Sequence, residues 1–501
     1  MKNLNFLSAF FVAASLAACN DDLDNVPVVD PIENPSSFAE IGQIDLGDKG
    51  AAEISAYDAV TKRLFVVNNS SDSRVEVIDL SDPANPVLLQ NINVSANVNS
   101  VSTYNGLVAA AVEGATAQQN GKVVFVDAQT LAVTKEVGVG ALPDMLTFSP
   151  DGKYVLVANE GEPSDDYLTD PEGSVTIITL ADYSVKTLGF GSFENSRSKL
   201  EANGYRVFGP NASFAQDTEP EYITVSDDSQ YAWVSLQENN AIAKIDLNKK
   251  AITSIFPMGT KDFNNSPNQF DVSDKDNMIN LSDWPVKSFY MPDALAWFSV
   301  NGMDYVITAN EGDSRDYEGY SEETRVKDIT LDASVFPNAS FLQAEDQLGR
   351  LKITISAGNT DTDDEYEELY AFGGRSFSIW NGDNGQLIYD SGNQTELILQ
   401  QQSSLYPDDR SDDKGSEPEG VAVGKIRDKT LAFIGLERAD AVLIYDVSLP
   451  AQPQFLQLLQ TGDAPEGIQF IPASNSPNGR SMLIVSSEGD GVVKIFQPEI
   501  Q

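Results

Sequence analysis

Leu142-Pro143-Asp144 leads into Met145-Leu146-Thr147-Phe148, a Ser149-Pro150-Asp151-Gly152 turn, and then Tyr154-Val155-Leu156-Val157-Ala158-Asn159-Glu160. An acid opens one short apolar run and a glutamate closes the next. The same frame recurs at Pro220-Glu221 to Glu238, Pro292-Asp293 to Glu311, Pro418-Glu419 to Glu437 and Pro465-Glu466 to Glu488. A degenerate copy runs from Ser100 to Glu113, and a weaker seventh from Glu53 to Asn69. Each unit reads as two alternating strands joined by a tight turn, so its opening acid and closing glutamate share one rim. Seven such hairpins set radially gather their carboxylates on one face.

The anchors Glu53, Ser100, Asp144, Glu221, Asp293, Glu419 and Glu466 lie 47, 44, 77, 72, 126 and 47 residues apart. The short intervals fit the roughly 40–50 residues of a four-stranded propeller blade. The long ones are a blade plus insertions. A further strand ends at Asp79, Asp127, Asp246 and Asp446. Gly, Pro, Asn and Asp turns between short strands complete an all-β pattern. The expected fold is a seven-bladed β-propeller with long loop insertions, six blades being the alternative if the Ser100 unit is misread.

At the N-terminus, Lys2 precedes an apolar stretch from Leu4 to Leu16, followed by Leu16-Ala17-Ala18-Cys19. This reads as a lipoprotein signal peptide over residues 1–18 with Cys19 lipidated, the stretch being short for a membrane span. Cys19 is the only cysteine. Residues 19–38, acidic and proline-bearing, read as a tether, and residues 39–501 as the propeller. The expected location is the bacterial cell envelope, extracytoplasmic, with membrane contact through the lipid alone.

Composition narrows the chemistry. Losing Lys2 leaves 31 Lys and Arg against 76 Asp and Glu, a charge that repels nucleic acid. The chain has no histidine, which removes Ser-His-Asp and Cys-His catalysis and histidine-held zinc or haem. Oxygen ligands remain, hence hard divalent cations as partners: Ca²⁺, with Mg²⁺ as the alternative.

The loops following the closing glutamates are the candidates for that chemistry. Residues 159–167 (NEGEPSDDY) match residues 310–317 (NEGDSRDY) almost position for position, and residues 408–419 (DDRSDDKGSEPE) lead into an anchor. Glu160, Glu162, Asp165, Glu311, Asp313, Asp316, Glu419 and Glu437 are therefore the expected metal ligands. The competing reading is a set of solvated acidic loops. Arg315, Arg410 and Arg438 lie among these acids, and Arg375 follows Gly373-Gly374. Guanidinium forks beside bound cations suit a phosphate-containing small molecule, or they serve only to pair with the acids. If the protein is an enzyme, Glu311, Arg315 and Arg410 are the expected catalytic residues of a metal-dependent phosphoric ester hydrolase. Residues 271–277 resemble a calcium loop, but Met278 stands where an EF-hand needs a ligand.

These motifs, with residues 368–381 (ELYAFGGRSFSIWN), 408–424 and 433–438 (FIGLER), resemble the choice-of-anchor I domain family. That family includes bacterial surface proteins labelled alkaline-phosphatase-like and is similar to mesenchyme-specific cell-surface glycoproteins. The resemblance implies a propeller displayed outside the cell, and it carries no residue roles. Taken with the acidic rim and its arginines, the expected function is a calcium-binding propeller that binds or hydrolyses phosphate esters. The alternative is a non-catalytic calcium-binding surface protein for adhesion, mineral contact or protein partners.

Overall fold

The computed structural model describes Met1 and residues 32–501 except Ser95 and Thr362. The signal peptide, Cys19 and most of the expected tether lie outside the described residues.

Seven four-stranded antiparallel sheets form the blades of a propeller. Six of them take their strands in chain order, from residues 55–93, 98–141, 143–189, 220–257, 295–390 and 418–460. The Ser100 unit is a full blade, so the count is seven. The seventh blade is closed from the other end of the chain. Its Pro465–Ile471, Met482–Ser487 and Val492–Ile500 strands are joined by the N-terminal strand Glu33–Asp45, antiparallel to Val492–Ile500. The propeller thus starts at Glu33, not at residue 39. The polar stretch expected as tether becomes strand because the last blade offers it an open edge. Glu33 accepts hydrogen bonds from the Ser481 backbone and hydroxyl (2.6 and 2.8 Å).

Apolar runs without alternation identify the strands buried on both faces. Val155 to Ala158 in the third blade are fully buried, because neighbouring blades cover the sheet from both sides. The outer strand Val133–Ala141 exposes most of its residues. Each pair of blades encloses its own apolar layer. Phe125 of the second blade packs with Val155 and Phe148 of the third. Leu64 and Val66 of the first pack with Ile484 and Ile495 of the seventh, so the ring is closed.

The long intervals hold insertions. Residues 190–219 carry two short helices, Gly191–Ser196 and Arg197–Glu201. Residues between Pro257 and Leu295 pack with those between Asn310 and Ser376, where Phe263, Phe270, Trp284, Val326, Leu348 and Ile353 form a separate core. The segment resembling a calcium loop belongs here. Its Asp271 accepts from the backbone N–H groups of Ser273 and Asn280 (3.3 and 2.9 Å), and Met278 is exposed.

Candidate metal centre

The repeat unit aims its acid by a local break in the sheet. Pro143 pairs with Asn159 and the next pair in register is Leu146 with Val157, so Asp144 sits in a bulge. Equivalent register shifts follow Pro220, Pro418 and Pro465, and one separates Val98 from Ser100. A bulge re-aims a side chain that the pleat would otherwise send into the blade. The residue before the proline is left-handed in four blades: Leu142, Met291, Glu417 and Ala464, with φ between 45° and 54°. Backbone held in this sparsely populated region gathers at functional sites. In the sixth and seventh blades a glycine follows the acid because the next anchor presses on it. A Cβ at Gly420 would lie 2.3 Å from the Glu466 carbonyl oxygen, and one at Gly467 2.5 Å from that of Glu53.

The Asn-Glu-Gly loops place the closing glutamates. Asn159 donates to the Ser174 carbonyl and the Thr176 hydroxyl, and Asn310 to the Ser376 and Ser378 hydroxyls, tying the second strand to the third. The glycine then turns with positive φ where the backbone crowds it, a Cβ on Gly312 falling 2.2 Å from Gly373 N. Between them the glutamate faces the channel.

The result is one cavity of about 350 Å³ at the channel mouth. Asp144, Glu221, Asp293, Glu419 and Glu466 reach it from opening positions and Glu160, Glu311 and Glu437 from closing ones, joined by Asp313. Two bases line it, Lys414 and Arg438. Burial, with repulsion from neighbouring acids, raises Asp144, Glu160, Glu221, Asp293, Glu311, Glu419, Glu437 and Glu466 above their ordinary values. Burial pushes Asp144 and Glu437 up to about 7, and Glu238 behind the wall to about 8. Glu160, Glu221, Asp293, Glu419 and Glu466 are raised well above the usual carboxylate range, by burial first and neighbouring acids second. One oxygen each of Glu221 and Glu419 is buried without a hydrogen-bond partner.

Two groups of three carboxylates have ligand atoms within 4.8 Å of one another here, Asp293-Glu311-Glu419 and Glu311-Glu417-Glu437. The second is already neutralised by side chains. Arg410 and Arg438 donate to Glu417 (2.5 and 3.1 Å), Arg438 reaches Glu437 at 2.7 Å, and Lys414 lies 3.9 Å from Glu417. The first group has a single base, Lys414, 3.0 Å from Glu311. Gln237 donates to the other Glu311 oxygen (2.8 Å). Oxygens 4.8 Å apart fit opposite sides of a calcium ion with bonds of about 2.4 Å.

The expected ligands therefore divide. Glu160, Glu311, Asp313, Glu419 and Glu437 share the cavity. Glu162 lies behind it, accepting from the Tyr317 hydroxyl (3.0 Å). Asp165 and Asp316 are exposed and do not line it. Their two loops do meet, but through Tyr167 packing edge-on against Tyr317 and Tyr320, with ring centroids 5.6 Å apart. Arg315 departs furthest from expectation. It is buried, donates to Asp217 (2.6 Å) and Glu219 (3.1 Å), lies over the Phe208 ring and does not line the cavity. Arg410 lines a neighbouring cavity with Arg438, Asp440 and Asp463. Asp293 and Lys414 were not among the expected site residues. Asp293 was signalled by its place in the repeat frame, whereas Lys414 had no periodic signal.

Comparison with known proteins agrees with this architecture. The choice-of-anchor I domain profile matches residues 53–450. Gigasin-3a of Magallana gigas is 27% identical over an alignment covering 31% of this chain and 66% of that protein. A mesenchyme-specific cell surface glycoprotein of Strongylocentrotus purpuratus is 29% identical over 47% of this chain and 36% of its own length. The chain thus spans less than two thirds of either relative. Among solved structures, hydrazine synthase of Kuenenia stuttgartiensis superposes with a TM-score of 0.51 at 12% identity, covering 91% of this chain and 97% of that one, a likeness of fold alone. No described helix is long and apolar enough to cross a membrane.

Proposed function

The chain belongs to the choice-of-anchor I family, and from that premise we propose that it is an extracytoplasmic surface propeller whose channel mouth binds calcium. The observation that carries this reading is the convergence of nine carboxylates on one cavity with two bases. Asp293, Glu311 and Glu419 would hold the ion. It would stabilise their ionised forms and take up the buried Glu419 oxygen that lacks a partner. Outside the cytoplasm calcium is plentiful enough for a site of modest affinity. The lipobox-like Leu16-Ala17-Ala18-Cys19 supports a lipid anchor on the bacterial envelope. The printed name of the sea-urchin relative, a cell surface glycoprotein, supports display outside the cell.

Calorimetric titration of calcium into chelator-stripped protein tests the reading. We expect saturable binding that Glu311→Gln and Glu419→Gln each weaken at least about tenfold, one lost charge at such a site being worth on the order of 1.4 kcal/mol or more. An isotherm showing no binding to the parent would end it.

Binding or hydrolysis of a phosphate ester is the second reading. Lys414 and Arg438 line the same cavity as the carboxylates, so a cation there would complete a surface for a phosphoryl group. Arg315 would have no part in it, because its donors are engaged by Asp217 and Glu219. Calcium-dependent turnover of a chromogenic phosphomonoester, lost with chelator, supports hydrolysis. Phosphate binding without turnover leaves a non-catalytic surface protein.

A further inference from the structure

We infer that Lys414 is a tethered counter-cation that competes with the bound ion for Glu311 and makes the channel site discriminate against monovalent cations. This rests on the reading of Asp293, Glu311 and Glu419 as the ion site. The Lys414 ammonium donates to Glu311 Oε1 (3.0 Å) and to Asp313 Oδ1 (2.8 Å), and its side chain is 10% exposed. It occupies the cationic position next to the one carboxylate that belongs to both groups of potential ligands.

The lysine is held in place by contacts its own side chain does not make. Arg375 donates to the Ser411 and Asp413 carbonyl oxygens (2.8 and 2.7 Å). Arg325 and Arg350 pair with Asp412 (2.5 and 2.9 Å), and Lys352 with Asp413 (3.2 Å). Gly415 turns with φ +72° against the Arg375 guanidinium, where a Cβ would lie 3.0 Å from Nη1. The loop therefore presents Lys414 at a fixed reach, and truncating the side chain leaves the clamp intact.

Charge arithmetic gives the consequence. Glu311 already has a unit positive charge beside it, so a sodium ion replacing the ammonium gains little. Calcium brings two charges and takes Glu311 while the ammonium remains with Asp313, which is on the exposed side of the cavity. Ion and ammonium then repel each other at close range, so the lysine lowers calcium affinity as it excludes sodium.

Calcium titrations of the full folded protein, its Lys414→Met variant and its Lys414→Arg variant test the inference. They are run at one ionic strength set either by sodium chloride or by choline chloride. We expect Lys414→Met to bind calcium at least about tenfold tighter than the parent in choline, and to lose much of that gain in sodium. Lys414→Arg should stay within about threefold of the parent, because it keeps the charge. Equal or weaker binding by Lys414→Met overturns the inference, as does an Arg variant that binds as tightly as the Met variant. If neither parent nor variant binds calcium, the ion site itself is refuted, an outcome distinct from the other two.

Discussion

Arg315 shows at the scale of one residue why proximity in sequence misassigns a role. Its neighbours Asp313 and Asp316 suggested a ligand-binding arginine, yet its partners Asp217 and Glu219 come from the insertion ahead of the fourth blade. All three are buried, so removing the guanidinium would strand two carboxylates in low dielectric. Arg315→Ala should therefore cost about 3–5 kcal/mol of stability, while whatever protein remains folded binds calcium like the parent. Chemical denaturation followed by calorimetry separates the two effects, and a normal stability with lost calcium binding would restore Arg315 to the site. Glu311 gives the opposite case. Its position was legible because it closes the same frame as Glu160 and Glu437, which also reach the cavity, although Glu238, which closes the fourth-blade frame, does not line it. Lys414 was not legible, since its reach depends on a loop clamped by Arg325, Arg350 and Arg375, residues 39 to 89 positions away. Gly420 yields a second prediction. With the Glu466 carbonyl 2.3 Å from where a Cβ would stand, Gly420→Ala must push the sixth and seventh blades apart. It should lower both the melting temperature and calcium affinity, because Glu419 and Glu466 flank that contact. An alanine variant that melts and binds like the parent would show the ring to be looser than the geometry says.

Strands differ in how plainly they announce themselves. Second-strand stretches such as residues 64–67, 107–112, 155–158 and 482–485 are unbroken apolar runs because neighbouring blades cover both faces, and burial on two sides removes the need for alternation. The outermost strand of the seventh blade starts with Glu33-Asn34-Pro35-Ser36-Ser37, which carries no apolar period at all. It becomes strand through the backbone edge that Val492–Ile500 presents, and the sequence on its own holds no trace of that demand. Phe38 is its side-chain anchor, buried and edge-on to Phe433 with ring centroids 5.5 Å apart. Phe38→Ala should cost about 3–5 kcal/mol. A chain starting after Asp45 should go further, exposing the edge of Val492–Ile500 and self-associating. Sedimentation velocity on that truncation checks it. A monomer with parental stability would mean that the N-terminal strand is dispensable to closure.

At the scale of the whole molecule the ring holds its acids at a cost that pH reveals. Burial holds Glu53, Asp144 and Glu437 near 7 and Glu238 near 8, against ordinary values of 4.5 for glutamate and 3.8 for aspartate. The folded state therefore binds these protons more tightly than the unfolded chain does. For a carboxyl raised in this way, the stabilising contribution is complete below the unfolded value and disappears as pH climbs through the folded one. Without divalent ions the melting temperature should fall between about pH 5 and pH 8, the more so because a net charge of −44 adds general repulsion across the molecule. Calcium reverses the local balance, since the same carboxylates ionise against it. Its stabilising effect should thus be small near pH 5 and grow toward pH 8, where a concentration 100 times the dissociation constant adds about 2.7 kcal/mol. Melting curves at pH 5, 6.5 and 8, with chelator and with millimolar calcium, read both trends together. A calcium-free melting temperature that rises over this range would mean that the carboxylates are ionised and already neutralised within the fold. In that case the single lysine and arginine at the cavity would be its sufficient counter-charge, and no ion would be needed there.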